Sequence, residues 1–224
     1  MSGLSYSVDI VMCIDGTGSM SPVIDLVKAN ALRFESDLAA AMESKQKSID
    51  NLRVRVIVFR DIFVDRGEAF VISDFFPLPQ ERDGFSGFVS GIRATGGGDE
   101  PESALEALAI ALNSEWVRSG DKRRHVVIVW TDASAHHLEE RSRRSNDANC
   151  PPGIPDSFSA LTALWEGQTV DQSAKRLLVY APDLYPWPEI QSTWESVVHV
   201  ASRAGSGLAE VDYSAVLEAI ANSV

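Results

Sequence analysis

Two cysteines are all that the 224 residues contain, Cys13 in an apolar run and Cys150 among prolines, so no disulfide framework is implied. Positive charge is also scarce. Twenty Lys and Arg stand against 32 Asp and Glu, a formal net charge of −12 that argues against nucleic acid or an anionic membrane as partner and favours cations. The longest apolar runs are strand-length, far below the roughly 20 residues that span a bilayer. The opening M-S-G-L-S-Y-S lacks a charged region followed by an apolar stretch, so the expected location is cytoplasmic. No repeat, low-complexity tract or composition break interrupts the chain, and one domain over residues 1–224 is expected.

What is present is an alternation of strands and helices. Val8 to Ile14 reads as a strand buried on both faces and stops at Asp15. Ile24, Val27, Ala31, Phe34, Leu38 and Ala41 recur at helical spacing to about Ser44, with Pro22 suited to the first turn. Leu52 to Arg60 reads as a second strand, and Glu68 to Phe76 as a third, hairpin-linked and at an edge. A short helix from about Gln80 to Ile92 leads to the loop A-T-G-G-G-D-E-P-E-S. Pro101 then opens a helix running to near Trp116.

Arg124 to Trp130 is another buried strand and ends in Thr131 and Asp132. Residues 135–155, with two histidines, a basic cluster and P-P-G-I-P, read as an exposed, partly helical insertion. Helices at Ser157–Glu166, Glu189–Ser196 and Tyr213–Asn222, and strands at Arg176–Ala181 and Val197–Val200, complete the pattern. The order predicts an α/β fold: a mostly parallel central sheet with one antiparallel edge strand and helices on both faces.

Function is concentrated in I-D-G-T-G-S-M, where Asp15, Thr17 and Ser19 alternate with glycines at a strand tip. Open α/β sheets bind ligands at such tips, and hard divalent cations take oxygen ligands. The plain alternative is that Asp15, Ser19 and Ser21 only cap the following helix. A haloacid-dehalogenase-like phosphatase would need an acid where Thr17 stands, and the dinucleotide fingerprint would need a third glycine where the chain has Met20 and Ser21. His136 and His137 with Glu139 and Glu140 lack zinc-motif spacing. No Ser/His/Asp order or Cys/His pair stands at strand ends.

The motif I-D-G-T-G-S-M resembles the D-x-S/T-x-S motif of von Willebrand factor A (vWA) domains, and the strand and helix order resembles that family over nearly the whole chain. The resemblance implies a three-layer Rossmann-like fold and a metal-ion-dependent adhesion site. Its counterparts here are Asp15, Thr17, Ser19, Asp132 of W-T-D-A-S, and a ligand from T-G-G-G-D-E-P-E. Three candidates stand in that middle loop. Asp99 comes first by counting back from the helix, Glu102 second from a likeness of D-E-P-E to integrin β-subunit inserted domains, and Thr95 third; the plain alternative for Asp99 and Glu102 is helix-dipole complementation. F-R-D at 59–61 and T-D-A-S-A-H at 131–136 resemble an intracellular subset of the family, where they organise loops.

The implied function is a non-enzymatic protein-interaction module. An Mg²⁺ ion, or Mn²⁺ or Ca²⁺, left incompletely coordinated would receive an Asp or Glu of a protein partner, such as a component of an ATPase or kinase system. A metal-assisted hydrolase or phosphatase on the same rim and a metal-free scaffold are the alternatives.

Overall fold

Every residue of β1 (Tyr6–Asp15) after the first is buried, the condition of a strand covered on both faces. In the computed structural model, which describes residues 5–45, 47–143, 151–167, 170–202 and 218, β1 is the middle of the sheet. Parallel to it on one side lies β2 (Asn51–Phe59), with Ile10 beside Val54 and Asp15 beside Phe59. On its other side lies β5 (Lys122–Trp130), also parallel, followed by β6 (Lys175–Pro182) and β7 (Val197–Ser202). The chain thus steps outward from β1 in both directions. The crevice above the carboxyl ends of β1 and β5 is where a doubly wound sheet leaves room for a ligand.

Beyond β2 the edge is antiparallel, as the pattern predicts, but it comes in two pieces. β3 (Phe70–Ile72) pairs with Ile57–Phe59 and β4 (Phe76–Leu78) with Leu52–Val54. Ser73 breaks the continuous strand expected over Glu68–Phe76. Its Oγ accepts from Val56 N at 2.9 Å and donates to Asp74 O at 2.7 Å, taking a ladder partner for its own side chain. The first residue of the expected strand, Glu68, instead ends a 3-10 turn at Arg66–Glu68.

Alternation within each strand sends two sets of side chains to two cores. Ile10, Met12 and Ile14 of β1 pack under α1 (Ile24–Ser44), whose Val27, Ala31, Phe34, Leu38 and Met42 form the apolar stripe, and under α2 (Arg82–Gly91). Val11 and Cys13 face the other way, against α3 (Ala104–Leu112), α5 (Phe158–Glu166) and α6 (Trp187–Thr193). Each large side chain so buried contributes about 1.5–3 kcal/mol. All of α3 is buried, as its sequence A-L-E-A-L-A-I-A-L requires.

Several boundaries differ from the sequence reading. Helix α3 begins at Ala104, so Pro101 stands outside it, and Pro22 lies ahead of α1 after a 3-10 turn at Gly18–Met20. The expected insertion is partly internal: Ala135, His136 and Ile154 are buried, and so is Leu138, which opens α4 (Leu138–Arg143). The reason is that these apolar groups close the end of the α3 core. The expected helix Tyr213–Asn222 falls outside the described residues apart from Glu218. Among the described residues no helix is long and apolar enough to cross a membrane.

Ser157 caps α5 by accepting from Ala160 N at 3.2 Å. Ser157→Ala is expected to cost about 1 kcal/mol, read as a lowered urea midpoint with unchanged slope.

Candidate metal centre

Asp15, at the tip of β1, is fully buried, and its two oxygens are addressed from two loops. Oδ1 accepts from Thr17 N at 2.9 Å and Thr17 Oγ1 at 2.6 Å, and Oδ2 accepts from Thr131 Oγ1 at 2.5 Å. Thr17 Oγ1 lies 3.0 Å from Ser19 Oγ, and Ser19 Oγ donates to Asp132 Oδ1 at 3.0 Å. The result is an unbroken line of oxygens from the end of β1 to the end of β5. Two hydroxyls carry two hydrogens; with one donated to each carboxylate, none is left for the contact between Thr17 and Ser19. Asp15, Thr17 and Asp132 are buried whereas Ser19 is exposed, so the line opens to solvent at Ser19.

The middle loop meets the first through its backbone. Thr95 N donates to Gly16 O at 2.8 Å and Gly18 N to Gly96 O at 3.0 Å. Gly96, Gly97 and Gly98 all have positive φ, of 75°, 94° and 74°, a run open to glycine alone. Asp65 Oδ2 accepts from Gly97 N at 2.9 Å. A Cβ on Gly97 would stand 2.7 Å from Thr17 Cβ and 2.8 Å from Glu102 Oε1, which places Glu102 beside the first loop.

The order of the middle-loop candidates therefore changes. Asp99 is exposed with no hydrogen bond among the described residues, and Thr95 is exposed and seated through its backbone. Glu102 is buried, and its Oε2 has no hydrogen-bond partner among the described residues. The reason lies in the count: α3 starts three residues later than the proline signal indicates, and the place counted back from its start moves from Asp99 to Glu102.

Burial pushes Glu102 up to about 9, with repulsion from Asp15, Asp61, Asp65 and Asp132 adding to it. Burial likewise lifts Asp15 to about 6 against the Thr131 and Thr17 hydrogen bonds, and raises Asp132 against the bond from Ser19. No Lys or Arg among the described residues forms an ion pair with any of the three. Nor is any group of three or more His, Cys, Asp and Glu among the described residues arranged to hold a metal by itself. The candidate set is instead mixed. It consists of carboxylates joined by hydroxyls, crowded negative oxygens without a protein cation, and it fits a hard divalent ion.

The surrounding residues order these loops. Arg60 gathers four carbonyls: Nε donates to Gly16 O at 3.1 Å and Thr95 O at 2.8 Å, Nη1 to Glu68 O and Nη2 to Arg93 O, both at 3.1 Å. Asp61 Oδ1 accepts from Phe63 N at 2.8 Å and meets His136 Nε2 at 3.2 Å, while His136 N donates to Glu102 O at 2.9 Å. These are the loop-organising roles that F-R-D and the run after Asp132 imply. His137 stacks on Tyr185 at 4.1 Å and joins no metal cluster. Thr131 and Asp65 were not singled out as site residues from the sequence. Thr131 stands next to Asp132 at a strand tip, a detectable signal; Asp65 reads only as a turn residue.

A model of the von Willebrand factor A domain matches residues 9–143, from within β1 to the end of α4. The chain belongs to the von Willebrand factor A domain family. This vWA domain is 30% identical over 154 residues to an alpha-protein kinase of Dictyostelium discoideum, a match covering 69% of this chain and 22% of that protein. It is 29% identical over 183 residues to a putative ariadne-like RING finger protein of Acanthamoeba polyphaga mimivirus, covering 77% of this chain and 15% of that one. The chain thus spans less than a quarter of either relative's length. Among solved structures it is similar to the vWF domain of a type V pili tip protein of Porphyromonas gingivalis, with a TM-score of 0.54 at 12% identity, covering 97% of this chain and 96% of that one. Proximal thread matrix protein 1 of the mussel byssus, solved with zinc in its metal-ion-dependent adhesion site, superimposes with a TM-score of 0.51 at 12% identity, over 97% of this chain and 45% of that one. At such identities the likeness is one of fold.

Proposed function

We propose that this vWA domain is a metal-dependent protein-interaction module in which Asp15, Thr17, Ser19, Asp132 and Glu102 hold a divalent cation, with Mg²⁺ first and Mn²⁺ or Ca²⁺ as alternatives. The observation that carries the reading is the hydrogen-bonded line of oxygens from Asp15 through Thr17 and Ser19 to Asp132, open to solvent at Ser19. Bound there, the ion would supply a Lewis-acidic position for an Asp or Glu of a protein partner. Asp15 and Glu102 would anchor the ion and the hydroxyls of Thr17 and Ser19 would join them, while Thr131 fixes the second oxygen of Asp15. Adhesion and interaction are the usual work of the family. The occupied adhesion site of the mussel protein supports the metal, and the alpha-protein kinase among the relatives supports a partner in a kinase system.

We propose a non-enzymatic module; against the haloacid-dehalogenase-like phosphatase alternative, the place two residues after Asp15 is Thr17, whose hydroxyl cannot serve as the general acid.

The test is capture of partners from a lysate by wild type and Asp15→Ala, each with Mg²⁺ and with chelator. Wild type with the ion is expected to retain proteins that the other three conditions release; four identical sets would reject the proposal. Asp15→Ala is further expected to lose the rise in thermal midpoint that saturating Mg²⁺ gives wild type.

A further inference from the structure

Toward the opposite end of the sheet from the metal centre, the protein carries a cleft of about 530 Å³, lined by Arg53 and Arg55 of β2, Asp74 and Phe75 from the link between β3 and β4, and Asn113 and Glu115 after α3. Its size lies within the roughly 300–1,000 Å³ of small-molecule sites. Two guanidiniums are held there from behind. Arg53 Nε and Nη2 grip buried Asp9 at 2.8 and 2.6 Å, and Nη2 also reaches Glu115 O at 3.0 Å. Arg55 Nε donates to Ser73 O and Nη1 to Ser114 Oγ, both at 2.9 Å. After these bonds Arg53 Nη1 and Arg55 Nη2 have no hydrogen-bond partner among the described residues.

Two carboxylates, Asp74 and Glu115, line the cleft beside the two guanidiniums. Asp9 serves Arg53, while Arg55 is partly buried and forms no close ion pair with a described carboxylate. Burial pulls Arg55 below its ordinary value, against the opposing pull of Asp74, Cys13 and Glu115. The aromatic wall is close, with Arg53 Cζ 4.5 Å from the centre of the Phe75 ring. Planar forks held in place, each with a spare donor, are the arrangement that recognises oxyanions.

We propose that this cleft binds a small oxyanion ligand, a carboxylate or phosphate carried on an apolar or aromatic body, with Arg53 and Arg55 taking the oxyanion and Phe75 the body. The site is separate from the metal centre and does not depend on it.

Titration calorimetry on the full chain, in chelator and at constant ionic strength, uses inorganic phosphate in one arm and benzoate in the other. One saturable site for either probe is expected; binding of phosphate alone assigns a phosphate ligand, and binding of benzoate alone a carboxylate. Arg55→Gln is expected to weaken it roughly tenfold or more, the value of a charged hydrogen bond, with Asp15→Ala unchanged. Arg55→Lys keeps the charge but loses the fork, so the same weakening is expected there if Arg55→Gln fails to fold. Absence of saturable binding by both probes in the millimolar range, or equal affinity in the folded Arg55 variant, overturns the proposal.

Discussion

Gly97→Ala is expected to unfold the candidate metal centre and cost the protein about 3 kcal/mol or more. A left-handed dihedral costs an L residue roughly 1–2 kcal/mol, and forcing a methyl into a packed site adds roughly 1–3 kcal/mol. Here the methyl would press on Thr17 Cβ at 2.7 Å and Glu102 Oε1 at 2.8 Å, so both sides of the centre must give way. For a chain of this size that is about 10 °C in thermal midpoint, and the response to Mg²⁺ should vanish with it. The control is Gly87→Ala in the interior of α2, where a Cβ meets nothing within 4 Å. That substitution should raise stability by about 1 kcal/mol through helix propensity. The same chemical change thus has opposite signs at two glycines, and a Gly97→Ala protein of wild-type stability would refute the packing described.

In chelator, the wild-type protein is expected to lose stability steadily as pH rises from about 4.5 to about 9. Glu102 has an ordinary value of 4.5 and is held at about 9 in the fold. Between those values the folded chain keeps a proton that the unfolded chain has released, so raising pH favours unfolding. Asp15, lifted from 3.8 to about 6, adds a similar decline over its own window. A divalent ion held as proposed would replace those protons. With Mg²⁺ at a hundred times its dissociation constant, stability should rise by about 2.7 kcal/mol, and the gap to the chelator curve should widen with pH. Glu102→Gln should flatten the chelator curve above pH 6 and blunt the response to Mg²⁺. Urea unfolding at unit steps of pH measures all of this. A flat wild-type curve in chelator would show that Glu102 is not held up by burial and its acidic neighbours as described.

The order of elements was legible because β1, β2, β5 and β6 each contain a continuous apolar run and α1 keeps its stripe over its full length. Asp15, Thr17, Ser19 and Asp132 were legible for the same reason, since they follow directly from strand tips whose ends are marked by a polar residue. The middle loop was not. Its register depends on where α3 starts, and Pro101, an ordinary first-turn signal, stands ahead of that helix, with Ser103 as the residue before it. The split of the edge strand turns on one hydroxyl, Ser73, that competes for a ladder bond, and no periodicity reports such competition. Asp65 was invisible because its partner, Gly97 N, lies 32 residues away.

One side chain has a reach larger than its own contacts. Since the guanidinium of Arg60 ties the carbonyls of Gly16, Glu68, Arg93 and Thr95 into one knot, the segments carrying them behave as a single rigid collar. A shift of Gly16 or Thr95 would therefore be felt at Glu68, just ahead of the outermost strand.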